Sequence, residues 1–201
     1  KPVSFNPDSG EGHEYDAQGQ YAFLVRNLYD YTRDEAWLSK RYSAVRKTLE
    51  FGLELRRQRM TPDYEGGPFY GLLPASNSHE GYFPAQHSYW DDFWLRRELE
   101  DGIYLAYKLG RTEDAQAWRA EAEEFQRDVA ASLDKVIVRD RLDYIPGCVE
   151  KGDFDSTSTA IAYTVGDGKA WLPEPYAERT FDLYYDGFVR RLIPGGRSSY
   201  T

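Results

Sequence analysis

The sequence holds one cysteine, Cys148, and one methionine, Met60. A lone thiol cannot close an internal disulfide and supplies no cysteine cluster for a structural metal. Histidine is scarce, with three residues, and no His-Glu-x-x-His pattern occurs among them. His79 and His87 therefore read as hydrogen-bond partners, and neither a metal nor a cofactor is expected. No apolar run approaches the ~20 residues of a bilayer-spanning helix, so no membrane partner is expected. The start, Lys1 to Gly10, is polar and contains proline, unlike a secretory signal, and the compartment stays open. Basic residues are outnumbered 25 to 34, for a net charge of -9. That balance argues against a nucleic-acid partner, whose phosphates require a basic face. Convincing strands are absent.

Aromatic residues, by contrast, are plentiful: 16% of the chain, with 17 Tyr and 5 Trp. Each joins a flat apolar face to a polar tip, which suits either a core or the C–H faces and hydroxyl rims of sugars.

Apolar spacing is helical. Between Gly110 and Val138 the residues Ala115, Trp118, Ala122, Phe125, Val129 and Val136 form one stripe. Leu38, Tyr42, Val45, Leu49 and Leu53 form a second, and Tyr21, Leu24, Val25 and Leu28 a third. Ala177, Phe181, Tyr184, Phe188 and Leu192 form a fourth. Two more helices are expected, from about Trp90 to Leu109 and from about Ser156 to Val165. Gly110 ends the first of these as a left-handed cap, and Asp155 or Ser156 caps the start of the second.

Connections alternate in length. Asp30 to Asp34 and Gly110 to Thr112 are short, whereas Met60 to Tyr89 and Arg139 to Asp155 are long. Long segments inside a compact domain are usually functional or disordered, and the Gly, Pro, Tyr and Phe content of these two predicts order. The repeating unit is helix, short turn, helix, long loop, with a period of ~70 residues, about twice a tetratricopeptide repeat. The second helix of the early pairs is the more charged, through Arg56, Arg57 and Arg59, then Glu121, Glu123 and Glu124. The pattern predicts an all-α chain in which inner helices alternate with outer ones and the long loops gather on one face. Three such pairs over residues 1–201 correspond to about half of an α/α toroid, a single partial domain whose C-terminal half would lie outside this chain.

The segment from Gly66 to Trp94 concentrates chemistry. It contains Phe69, Tyr70, His79, Glu80, Tyr82, Phe83, His87, Tyr89, Trp90, Asp91, Asp92 and Trp94, mostly outside helical spacing. Adjacent carboxylates beside aromatic walls suit glycoside hydrolysis, which needs one carboxyl protonated near neutral pH and another opposite it. Apolar surroundings and a like charge both raise a carboxyl pKa, whereas a helix start lowers it. The alternative is that either Asp caps the helix. Glu80 is either a hydroxyl ligand or a surface residue. In the second loop, Asp153 can face the same place, and Asp155 reads as a helix cap.

His87-Ser-Tyr-Trp-Asp-Asp-Phe-Trp-Leu-Arg96 resembles a segment of trehalases and family 63 glucosidases, six-hairpin enzymes that carry Glu-Ser-Gly-Trp-Asp-Phe-x-x-Arg or a related form. Gly71-Leu-Leu-Pro74 and Tyr144-Ile-Pro-Gly147 also resemble loops of such enzymes. The resemblance implies an inverting glycosidase acting on an oligo- or disaccharide. Its general acid would be Asp91 if Trp90 sets the register, or Asp92 with Arg96 if Asp-Phe-x-x-Arg does. It implies a sugar site including Phe69, Tyr70, Glu80, Tyr89, Trp90, Trp94, Arg96 and Asp153. The base of those families lies in the far C-terminal part of the barrel and is assigned to no residue here. Tyr89 replaces the family glycine and His87 the trehalase glutamate, so a different substrate pocket is expected.

Three rival readings stand beside this one. A polysaccharide lyase on the same fold would use Tyr89 or His87 as base with Asn77 or Arg96, against an acidic chain poorly suited to uronates. A terpene-type cyclase would need a further Asp in its metal motif. A non-catalytic carbohydrate-binding helical domain would leave the Asp pair unexplained.

Overall fold

The computed structural model describes residues 13–192; the Lys1–Gly10 start and the tail 197–201 lie outside them. Six α-helices follow one another: α1 (Ala17–Thr32), α2 (Glu35–Arg57), α3 (Tyr89–Lys108), α4 (Thr112–Asp140), α5 (Ser156–Thr164) and α6 (Tyr176–Arg191). A short 3-10 turn at Gly168–Ala170 precedes α6. Among the described residues there is no strand, only isolated bridges such as Ser76 with Gln86 and Ser88 with Cys148.

The all-α expectation holds. Side-chain register gives the directions. Trp90 bonds Asp16, Arg26 bonds Asp101, and Tyr104 bonds Asp30, so α1 and α3 run parallel. Arg97 reaches the Val165 carbonyl at the end of α5, whose start lies beside the start of α3. The turn before α2 reverses the chain, and α2 crosses α3 antiparallel, with Gly52 against Leu95 and Leu49 against Gly102. α4 is also antiparallel to α3, from Trp118 at Gly102 to the Tyr89–Ser132 hydroxyl pair at 2.8 Å. Thus α1, α3 and α5 form one row with their N-terminal ends on one face. α2 packs on α1 and α3, α4 on α3, and α6 on α5. Both long loops arrive at that face.

Local chemistry explains the boundaries. Asp34 caps α2 by accepting from the Trp37 amide at 2.8 Å, and Asp155 caps α5 by accepting from the Thr157 and Ser158 amides. Gly110, at φ 66°, closes α3, as its position in the sequence implies. The α2 and α4 stripes are buried throughout. The other two expected stripes need correction. On α1 the buried residues are Ala22, Val25 and Tyr29, while Leu24 and Leu28 face solvent. At the α1–α3 contact small side chains let the backbones approach, which turns the larger leucines outward. On α6 only Ala177 of the stripe is buried, and Tyr184, Phe188 and Leu192 are exposed. Among the described helices that one packs on α5, and Thr180 and Arg179 tie it to the second long loop, so its N-terminal part as far as Thr180 is covered and the rest is more open.

Charge does not mark the outer layer at every point. Arg56 is 1% exposed. It bonds Asp128 at 2.7 Å, Glu121 at 2.9 Å and the Gly71 carbonyl at 3.2 Å, over the ring of Phe125. It therefore ties α2, α4 and the start of the first long loop together. That loop is anchored further by Leu72 and Leu73, both buried. The order expected of the loops from composition is present.

Two substitutions test this packing. Ala in place of Gly normally favours a helix by about 1 kcal/mol, but a Cβ at Gly19 would strike the Trp94 backbone carbonyl. Gly19→Ala should destabilise by about 1–3 kcal/mol in urea unfolding, the usual cost of overpacking. Arg56→Ala leaves the half-buried carboxylates of Glu121 and Asp128 without their cation and the Gly71 carbonyl without this donor, and should cost about 1.5–3 kcal/mol by the same measurement.

Candidate functional site

Three helix starts meet on the loop face, and each brings an aspartate: Asp16 before α1, Asp91 and Asp92 in the first turn of α3, and Asp155 before α5. The aromatic residues lie among them. Trp90 donates its indole N–H to Asp16 Oδ2 at 2.8 Å, and its ring lies 3.8 Å, centroid to centroid, from that of His79. Trp94 packs edge-on against Trp90 and Phe23, and its Nε1 has no hydrogen-bond partner.

Asp91 and Asp92 are each 1% exposed. Consecutive helical positions point in different directions, and their surroundings differ accordingly. Asp91 Oδ2 accepts from the Ser76 hydroxyl, and Oδ1 has no hydrogen-bond partner. Burial pushes its carboxyl up to about 7; the Ser76 hydroxyl and the Tyr15 amide oppose the rise, and Asp16 and Glu14 add to it. Asp92 Oδ1 accepts from the Leu73 amide at 2.9 Å, pinning the first loop, while Oδ2 has no partner. Burial raises Asp92 well above the usual carboxylate range, against the pull of the Leu73 amide and of Arg56. Neither side chain caps α3.

The second carboxyl group of the face is more open. Glu80 is about one-third exposed and lies 2.8 Å from His79 Nε2. Partial burial, Asp155 and Asp153 together push it up to about 6. Burial lowers His79 below its ordinary value, although Asp155, Asp16 and Glu14 work the other way. His79 Nε2 also lies 3.6 Å from Asp155 Oδ2. Behind them Asp153 accepts from the Tyr82 hydroxyl at 3.0 Å and from the Cys148 thiol at 3.1 Å, and burial pushes that thiol up to about 12.

Other expected site residues are placed differently. Tyr89 has no exposed surface and bonds Ser132 between α3 and α4, so it is a core residue and not a platform. Arg96 bonds Gln126 of α4 and Glu100 rather than either aspartate, because its position on α3 faces α4. The Phe69 ring packs, tilted, against that of His87, with centroids 4.7 Å apart. Tyr70 is half-buried in the same loop. Asp155 is a helix cap, as its position before Ser156 suggests. His87 links the two loops: Nε2 accepts from Arg59 at 2.9 Å, and Nδ1 lies 2.6 Å from Glu150, whose carboxylate also accepts from the His87 amide. Both ring nitrogens are engaged, so the ring has no free position for a base.

Sequence reasoning passed over Asp16, Tyr15 and Ser76. Asp16 carries one readable signal, its place just before a helix. Ser76 and Tyr15 carry none, since they reach Asp91 only through the path of the backbone.

No protein-family profile matches the chain, and no curated protein and no solved structure matches it.

The buried acids predict a pH dependence of stability. Glu98 of α3, 1% exposed with Oε1 unpartnered, is pushed by burial up to about 8. A carboxyl raised in the folded state binds more protons folded than unfolded between its two pKa values, so stability falls as pH rises through that window. Between pH ~4.5 and 8 the slope is about 1.4 kcal/mol per pH unit per group. Unfolding free energy should therefore increase as the pH is lowered from 8 toward 5. Glu98→Gln should flatten that profile, as read by urea titration at several pH values.

Proposed function

We propose that this chain carries the acid side of a glycoside hydrolase site of the inverting type, built on part of an α/α toroid. The observation that carries the reading is Asp91. Its carboxyl begins α3 between aromatic residues, keeps one oxygen without a partner, and is raised to about 7, so that it holds a proton near neutral pH. That is the protonation state from which a general acid works.

In this reading Asp91 gives its proton to the glycosidic oxygen as the C–O bond breaks. A carboxylate supplied from elsewhere in the barrel activates water on the opposite face of the sugar, across the wider carboxyl spacing of inverting enzymes. Trp90 offers an apolar face, and Glu80 and Asp153 accept hydrogen bonds from hydroxyls. Asp92 serves as the anchor of the Leu73 amide and not as the acid. Because Asp91 is closed over by Tyr15 and Ser76, a substrate reaches it only when these neighbours move aside. The parallel row α1, α3, α5 with loops on one face supports the toroid reading.

One observation favours a second reading, a non-catalytic carbohydrate-binding domain: both carboxyls are almost wholly enclosed. The lyase reading loses support, since its candidates Tyr89, His87 and Arg96 are all committed to structural partners.

The decisive comparison is hydrolysis of a glycoside panel by the full-length parent, which joins this chain to the rest of the barrel, and by its Asp91→Asn and Asp92→Asn forms. Asn preserves shape at a position already protonated, so Asp91→Asn should fold and still bind sugar while turnover drops by about 10²–10⁴. Asp92→Asn keeps an acceptor for the Leu73 amide and should leave kcat within about tenfold, whereas Asp92→Ala, which removes it, should lower stability by about 1–3 kcal/mol. Unchanged hydrolysis by Asp91→Asn, or sugar binding without cleavage by the parent, overturns the hydrolase reading and favours the binding domain.

A further inference from the structure

The Glu80–Asp155–His79 group has a feature that the glycosidase reading does not use. His79, Glu80 and Asp155 each present a ligand atom, and the three atoms lie within 4.8 Å of one another. The set joins an imidazole to two carboxylates, drawn from two loops that are separate in sequence.

His79 and Asp155 are held in place by neighbours outside the group, and Glu80 closes it from the solvent side. The His79 ring is clamped against Trp90 at 3.8 Å, and its Nδ1 lies 3.4 Å from the Ser78 hydroxyl, which itself accepts from Ser88 at 2.9 Å. That fixes the far side of the ring and turns Nε2 toward the carboxylates, an arrangement typical of histidines that hold metals. Asp155 is 5% exposed. It is oriented by the Thr157 and Ser158 amides and the Ser158 hydroxyl. Glu80 stands on the solvent side, so a path inward exists.

Charge points the same way. Among the described residues, the ion pairs of Glu80 and Asp155 are made with His79 alone, and Asp16 and Asp153 have no ion pair with Lys or Arg. Lys151 of the second loop is turned to the Tyr82 ring, 4.6 Å from its centroid. Several carboxylates thus face one imidazole, and a cation between them would relieve the repulsion while using the nitrogen lone pair.

We infer that His79 Nε2, Glu80 and Asp155 form a binding site for a divalent transition-metal ion. One imidazole and two carboxylates suit Zn²⁺, Mn²⁺ or Fe²⁺ better than Mg²⁺ or Ca²⁺, which prefer all-oxygen shells. Three protein ligands leave coordination positions for water or for a hydroxyl-bearing ligand. The inference shares Glu80 with the proposed sugar site but does not rest on that reading, because its ligands include neither Asp91 nor Asp92 and it is read out by metal binding.

The test is calorimetric titration of the tag-free full chain with Zn²⁺ and with Mn²⁺, with tryptophan fluorescence followed in parallel. The expected result is one saturable site per chain, weakened more than about tenfold by His79→Gln and by Glu80→Gln. Both variants should keep the parent's helical circular dichroism, and Mn²⁺ should quench fluorescence in the parent but much less in Trp90→Phe. Absence of saturable binding in the parent overturns the site, as does binding of equal strength in both ligand variants. Because the readout is metal binding rather than turnover, its failure leaves the hydrolase reading standing, and the reverse also holds.

Discussion

The structure is organised by a helix that is buried over most of its length while carrying charge. α3 is flanked by α1 and α5, backed by α2 and α4, and capped by the loops, yet it bears Asp91, Asp92, Arg96, Arg97, Glu98 and Asp101. An isolated buried charge is far too costly to persist, so each must be paired or neutralised. Asp101 is paired, at 2.7 Å, with both Arg26 and Arg97. Arg96 is satisfied by Gln126 and Glu100. Asp91 and Glu98 take the other route and hold protons up to about pH 7 and 8. One helix therefore combines ion pairs that lock it to α1 with neutral acids that tolerate the interior.

Asp101 is paired past the middle of α3, where α1 supplies Arg26 and α3 itself Arg97. Glu98 is neutral in the same stretch, whereas Asp91 and Asp92 lie at the N-terminal end, where the loops fold over and supply a hydroxyl and amides. Dipole and amides at a helix start favour the carboxylate, and burial opposes them. For Asp91 burial wins, leaving a weak acid next to tryptophan. Buried, perturbed carboxyls are common at functional sites, and the open Glu80–His79–Asp155 group lies on the same face, across Trp90.

The loops owe their order to a few strong ties. Arg56, Asp92 and Ser132 hold the first loop at Gly71, Leu73 and Pro68. His87 and Glu150 join it to the second, supported by Tyr89 N–H to the Gly147 carbonyl and Val149 N–H to the His87 carbonyl, both at 3.0 Å. The first loop consequently behaves as part of the framework near Leu72 and Leu73, and is exposed on either side of it, at Pro62, Asp63, Glu65 and Gly66 and again around His79 to Pro84.

The sequence by itself determined the helices, their order and the alternation of short and long links, because periodicity, caps and glycine stops act over a few residues. The α2 and α4 stripes, the Gly110 stop and the Asp155 cap were all legible for that reason. It also brought out the Gly66–Trp94 segment as the place where candidate site residues gather. Tertiary structure alone decided which side chains of that segment lie on the loop face and which are sealed in the core. Tyr89 and Trp90 are adjacent in the chain, but one is sealed between α3 and α4 while the other faces His79. Arg96, one turn past Asp92, points to α4. The α1 and α6 faces were misread because a stripe shows which residues can be buried, and only the neighbouring helix decides which of them are. The contacts of Asp91 with Ser76 and of His79 with Asp155 join segments far apart in sequence, and no local pattern encodes such a meeting.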